Sequence, residues 1–144
     1  MFRQLLIITL AAIPVISYAG CESVGLSMES TLFNSVAKEL NIDTSTVQRN
    51  QTKVEIIDKS VVSERYAKSL ATLDHADAID KGKATLPEKD YFTSYYGNNT
   101  QSLTAKYTYI NKDKKKDVFI ASSIISDDEC SIRFNGYITL SREF

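Results

Sequence analysis

Residues whose side chains could do chemistry are few in this chain, and they are scattered. There is one histidine, His75, with Asp74, Asp77 and Asp80 around it. Histidine is the commonest general base and metal ligand. Three aspartates spaced by three drift around one side of a helix, and the alternating oxygen ligands and turn glycine of a calcium loop are absent. One histidine without a closely spaced cysteine pair does not compose a zinc site. The segment reads as a solvated helix end, and no metal is expected. Glu88 with Asp90, and the run Asp127-Asp128-Glu129, are neighbours in exposed segments. Glycosidase chemistry needs two acids facing each other across a cleft with their pKa values pushed apart. The five glycines stand singly, so no phosphate-cradling loop and no cofactor are expected.

Ser35-Val36-Ala37-Lys38 resembles the Ser-x-x-Lys signature of serine β-lactamases and penicillin-binding proteins. The likeness spans four residues. The companion Ser-Asp-Asn and Lys-Thr-Gly motifs are missing, and the chain is short for that fold. Val36 and Ala37 fall on an apolar helix face, which turns Ser35 and Lys38 to solvent. No catalytic set assembles, so a non-enzymatic protein is expected.

Aromatic residues are the more promising group. Tyr91, Tyr95, Tyr96 and Tyr107, with Phe92 and Tyr109, lie close in sequence and are expected to meet where a helix joins the C-terminal sheet. Tyrosine gives contact area at low entropic cost and is enriched at interfaces. With Arg133 and Tyr137 on the polar face of the last strand, these residues form the candidate binding surface. A tyrosine-rich core edge is the plainer alternative. A small-ligand carrier would instead need a deep pocket lined by Tyr91, Tyr95 and Tyr107.

The first nineteen residues set the compartment. Arg3, the apolar run Leu5–Ile16 and the small pair Ser17 and Ala19 have the order of a secretory signal peptide over 1–19. That apolar core is shorter than the about 20 residues a transmembrane helix needs. Residues 20–144 are then expected to form one exported domain, periplasmic or otherwise outside the cytoplasm, with no transmembrane segment. The chain has 17 basic and 18 acidic residues, a net charge of −1. It therefore lacks the concentrated basic face that nucleic acid requires, and a partner is expected to be another exported or envelope protein.

The two cysteines, Cys21 and Cys130, admit two readings. An exported chain with an even cysteine count usually oxidises them, and a Cys21–Cys130 bridge would be worth roughly 4–5 kcal/mol by loop-closure entropy. Tyr18-Ala19-Gly20-Cys21 resembles, over four residues, the lipobox of bacterial lipoproteins, with Tyr18 where that family usually carries an aliphatic residue. The resemblance implies a lipid anchor at Cys21 and an envelope role in assembly or stress.

The positioning elements follow from periodicity. Leu32, Phe33, Val36, Ala37 and Leu40 mark an amphipathic helix over Ser30–Leu40, with Ser27 or Ser30 as its cap. Lys53–Val62 reads as a strand, and Ser63 as the cap of a helix reaching Asp74 or Ile79. Pro87 opens a short helix carrying Tyr91 and Tyr95, and Gly97 stops it. Three strands close the chain. Residues 118–125 are apolar on both faces, as in a central strand. From Cys130 onward Ile132, Phe134, Gly136, Ile138 and Leu140 alternate with polar residues, which predicts an inward apolar face that includes Cys130. The fold expected is α+β: N-terminal amphipathic helices packed on a mainly antiparallel sheet that ends in a three-stranded C-terminal meander. The function expected is protein–protein recognition, as in periplasmic inhibitors and immunity-type proteins.

Overall fold

The computed structural model describes residues 20–144; the segment 1–19, expected from its sequence to be a signal peptide, lies outside them. The elements in order are α1 (Ser27–Glu39), β1 (Lys53–Val61), α2 (Glu64–Asp80), α3 (Glu88–Tyr95), β2 (Gln101–Ile110), β3 (Lys116–Ile125) and β4 (Arg133–Ser141). The strands form one antiparallel sheet in the order β1-β2-β3-β4. The fold is therefore α+β with a C-terminal three-stranded meander, as expected. To this β1 adds a fourth strand, paired with β2 from Lys53↔Thr108 to Val61↔Gln101.

Helix α1 lies on one face of the sheet. Met28, Leu32 and Val36, at i, i+4 and i+8, are buried against Leu103, Ala105, Tyr107, Tyr109, Phe119 and Ala121. The helix begins three residues earlier than its apolar spacing suggests, and neither Ser27 nor Ser30 caps it. Leu26 is the N-cap and offers no side-chain bond. Gly25 turns the chain at φ 87° and gives its N–H to the Glu29 carboxylate at 2.8 Å.

Helices α2 and α3 pack together against one end of the opposite face. Ser63 caps α2 by accepting from the Tyr66 N–H, and the helix runs on to Asp80, past both expected ends. Pro87 sits at the N-cap of α3, just outside the first turn. Val62, Ala67, Leu70, Ala71 and Tyr95 enclose Ile124, with Ile132 alongside. Cover of that face fades with distance from Ile124: Ile120 is half-buried and Ile138 is 59% exposed.

Two register shifts overturn the expected alternation of the last strand. One falls between Ser122 and Ser123 and the other between Val118 and Phe119. Each puts an unpaired residue into β4, Asn135 and then Leu140, and an inserted residue turns the following side chains to the other face. Phe134 and Tyr137 consequently share the α1 face, opposite Ser123 and Ala121, while Ile138 pairs with Ile120 on the other. Tyr137 is the inward residue and Ile138 the outward one, the reverse of strict alternation. Cys130 precedes the strand in the β3–β4 loop rather than sitting on the strand's apolar face. Its sulfur lies 2.14 Å from that of Cys21, disulfide-bonding distance, with a sequence separation of 109 residues.

Candidate functional site

The six residues proposed for a binding surface divide into three environments. Tyr107 is wholly buried under α1, and its phenol donates to the Glu22 carbonyl at 2.8 Å. It lies across the sheet from Tyr91 and Tyr95, so the tyrosines do not gather and these three line no common pocket. Tyr95 is also buried, 6% exposed, and donates to Asp74 Oδ2 at 2.7 Å. Burial, then the bond to Asp74, pushes the Tyr95 phenol well above its ordinary pKa. Neither Tyr95 nor Tyr107 is a surface residue. Both belong to strands or helices whose apolar side was certain to be covered, and a phenol there needs only one partner for its oxygen.

Tyr91 packs beside Tyr95, with ring centroids 6.4 Å apart, and shares a hydrogen bond with Thr85 Oγ1. His75 adjoins it and directs Nδ1 at the Leu86 carbonyl, 3.0 Å away. Tyr96 is exposed and stacks on Phe92 at 5.4 Å. These rings tie α3 to the end of α2.

Arg133 and Tyr137 do come together. They line a shallow groove of about 550 Å³ between β4 and the C-terminal half of α1, with Ser35, Glu39, Asn135 and Gly136. Arg133 grips Asp74 through Nε at 2.6 Å and Nη2 at 2.7 Å, and donates from Nη1 to Asn135. The guanidinium holds the Asp74 carboxyl below its usual range, and Asp74 raises Arg133 in return. Arg133 thus joins the sheet to α2 rather than projecting freely. Tyr137 donates to Glu39 Oε2 at 2.6 Å and meets Phe119 edge-on. Desolvation, then the Glu39 bond, pushes its pKa up to about 12. At neutral pH it is a neutral hydrogen-bond donor. The groove offers hydrogen bonds and contact area, with its one guanidinium already engaged. Among the described residues there is no cluster of three His, Cys, Asp or Glu side chains placed to hold a metal ion.

The groove runs beside an open sheet edge. No described strand pairs with the outer side of β4 or of β1, and the two edges differ. β1 carries Lys53, Glu55, Asp58 and Lys59 and a register shift after Ile56, the devices that discourage strand addition. β4 has no charged residue between Arg133 and Arg142, and Ile138 and Leu140 are 59% and 52% exposed. One row across the outer face shows the gradient. It passes from Glu55 and Lys106, ion-paired at 2.8 Å, to Ile120 and then Ile138 at the bare edge.

Two charged residues of consequence were not singled out from the sequence. Glu29 is wholly buried and accepts from Gly25 N–H, Tyr109 Oη and Arg49, the last through Nε at 3.0 Å and a second, shorter contact. Asp117, also wholly buried, accepts from the Glu143 and Phe144 N–H groups at 2.7 and 3.1 Å. Both interrupt an apolar period, Glu29 at i−3 from Leu32 and Asp117 two before Phe119, and that was the available signal.

No protein-family model matches the chain, and neither a curated protein nor a solved structure matches it.

Proposed function

We propose that this chain is a small exported, non-enzymatic protein that recognises another exported or envelope protein through the β4 edge and its adjoining groove. The observation that carries the reading is the nine-residue edge strand β4, uncharged between its flanking arginines and bearing exposed Ile138 and Leu140. Such an edge accepts an extended segment of another chain by main-chain hydrogen bonding, with side-chain contacts supplying selectivity. Inhibitors and immunity-type proteins work by surface recognition of this kind. Export rests on the N-terminal pattern of residues 1–19 and on a cysteine pair at bonding distance. It accords with the finding that no described helix is long and apolar enough to cross a membrane. A lipid anchor on Cys21 would compete for the sulfur that meets Cys130, and intact mass of the purified protein distinguishes lipidated from oxidised Cys21.

Affinity capture from cell-envelope extract tests the proposal. Wild-type protein should retain a specific partner that Ile138→Lys, with a charge set on the open edge, does not. Capture of nothing by the wild type, or equal capture by both, overturns it.

A further inference from the structure

Asn135 is the only asparagine of the chain that glycine follows, and the fold gives its carboxamide two partners. Arg133 donates from Nη1 to Oδ1 at 2.6 Å, and Nδ2 donates to Ser122 Oγ at 3.3 Å. We propose that Asn135–Gly136 is a self-modifying site of the folded protein: the Gly136 backbone nitrogen attacks the Asn135 side-chain carbonyl, and water completes its conversion to a carboxylate. The inference concerns the covalent state of the groove and does not depend on what β4 binds.

Nucleophile and electrophile are neighbours in the chain, so the attack is intramolecular and needs no encounter. Every other asparagine precedes a residue whose side chain crowds the attacking nitrogen. Gly136 has no Cβ, and one built there would meet nothing within 4 Å. Asn135 has no partner on β3, because Gly136 pairs with Ser122 and Phe134 with Ser123, and an unpaired bulge residue disrupts the ladder locally. Arginine has only donors, so it is Oδ1 that must face Arg133. Asp74 fixes the same guanidinium through Nε and Nη2, which leaves Nη1 aimed at Asn135. As the nitrogen attacks, negative charge develops on Oδ1, and a donor already aimed at a developing oxyanion lowers the barrier. The Gly136 nitrogen gives its proton to solvent and bonds to Asn135 Cγ. The Cγ–Nδ2 bond then breaks, and Nδ2 leaves as ammonia with a solvent proton. Water opens the resulting succinimide, breaking a ring C–N bond and restoring the N–H. Opening at Cγ yields aspartate, and opening at the main-chain carbonyl yields isoaspartate. The sum is one water consumed and one ammonia released, with nothing oxidised. Either product sets a negative charge beside Arg133, in the uncharged run of β4.

Peptide mapping by mass spectrometry tests the inference on the oxidised full protein, held folded in mildly alkaline buffer made with heavy-oxygen water. The peptide carrying Asn135 should convert from amide to acid before any other asparagine peptide, with heavy oxygen in the new carboxylate. Asn135→Gln should give no early acidic form, since glutamine closes its larger ring far more slowly. Arg133→Lys keeps the charge and loses the planar donor on Oδ1. Conversion should slow about tenfold, less than the loss in an enclosed oxyanion hole because this site is half open to water. Far-UV circular dichroism checks that the variant is folded, and the wild-type readout decides the proposal even where it is not. An Asn135 peptide that stays an amide while other asparagines convert, or that converts only in urea, overturns the inference. So does an unchanged rate in folded Arg133→Lys. These readouts need no partner, so their failure is distinct from failure of the recognition reading.

Discussion

Replacing Glu29 is the sharpest test of how α1 is held. Its carboxylate is wholly buried and receives the Tyr109 hydroxyl at 2.9 Å, the Gly25 N–H at 2.8 Å and the Arg49 guanidinium. Glu29→Ala releases three donors of unequal consequence. Arg49 has a 36% exposed side chain and can turn to water, and Gly25 is exposed. The Tyr109 hydroxyl is buried in the core and cannot hydrate, which costs about 1–3 kcal/mol. The space left by the carboxylate and its methylene adds about 1–2 kcal/mol. The expected loss is about 2–5 kcal/mol, the sum of these two contributions. Tyr109→Phe removes only a donor and should cost about 1 kcal/mol. The double variant should cost less than the two singles together, by about 1–2 kcal/mol, because the stranded hydroxyl is gone. Urea unfolding of the oxidised protein, followed by far-UV circular dichroism, measures all three. A Glu29→Ala loss below about 1 kcal/mol, or strict additivity in the double variant, would refute this reasoning.

Other expected outcomes concern the cysteine pair and the Asp74–Arg133 bridge. Cys130→Ser should lower stability by about 4.8 kcal/mol from the entropy of closing a 109-residue loop, read as the difference in urea unfolding free energy from the oxidised wild type; equal stabilities would contradict the bridge. Asp74 has a depressed folded-state pKa, caused first by Arg133 and opposed by burial. Its contribution is therefore complete above the ordinary carboxylate pKa of about 4 and is lost as pH falls through the lower folded value. Asp74→Asn should cost about 2–3 kcal/mol at neutral pH, and the gap from wild type should narrow in acid; a gap independent of pH across the acid range would contradict it.

Much of the architecture was legible because periodicity reports burial directly. Leu32 and Val36 marked α1, Ser63 marked the start of α2, and the doubly apolar run 118–125 marked the central strand. What misled was counting alternation through a bulge. Asn135 and Leu140 enter β4 without partners, and nothing in local composition distinguishes an inserted residue from an alternating one. That single effect exchanged the faces of Tyr137 and Ile138 and hid the apolar edge. The tyrosines misled differently. Nearness in sequence put Tyr95 and Tyr107 in one group, yet α3 and β2 deliver them to opposite faces of the sheet. Strand parity already placed Tyr107 with Leu103 and Ala105, and so under whatever covers them. Glu29 and Asp117 were readable by the same rule, as charges at positions the period assigns to the core. Their donors could not be foreseen, since Arg49, Tyr109 and the amides of Glu143 and Phe144 are distant in the chain.

The central claim, that β4 is the edge this protein binds with, is tested most directly by residue-resolved amide hydrogen exchange before and after addition of the captured partner. The account predicts new protection at the outward-facing amides of Phe134–Ser141, with Lys53–Val61 on the other edge unchanged. Protection confined to α2 and α3, or spread along β1 with β4 unaffected, would contradict it.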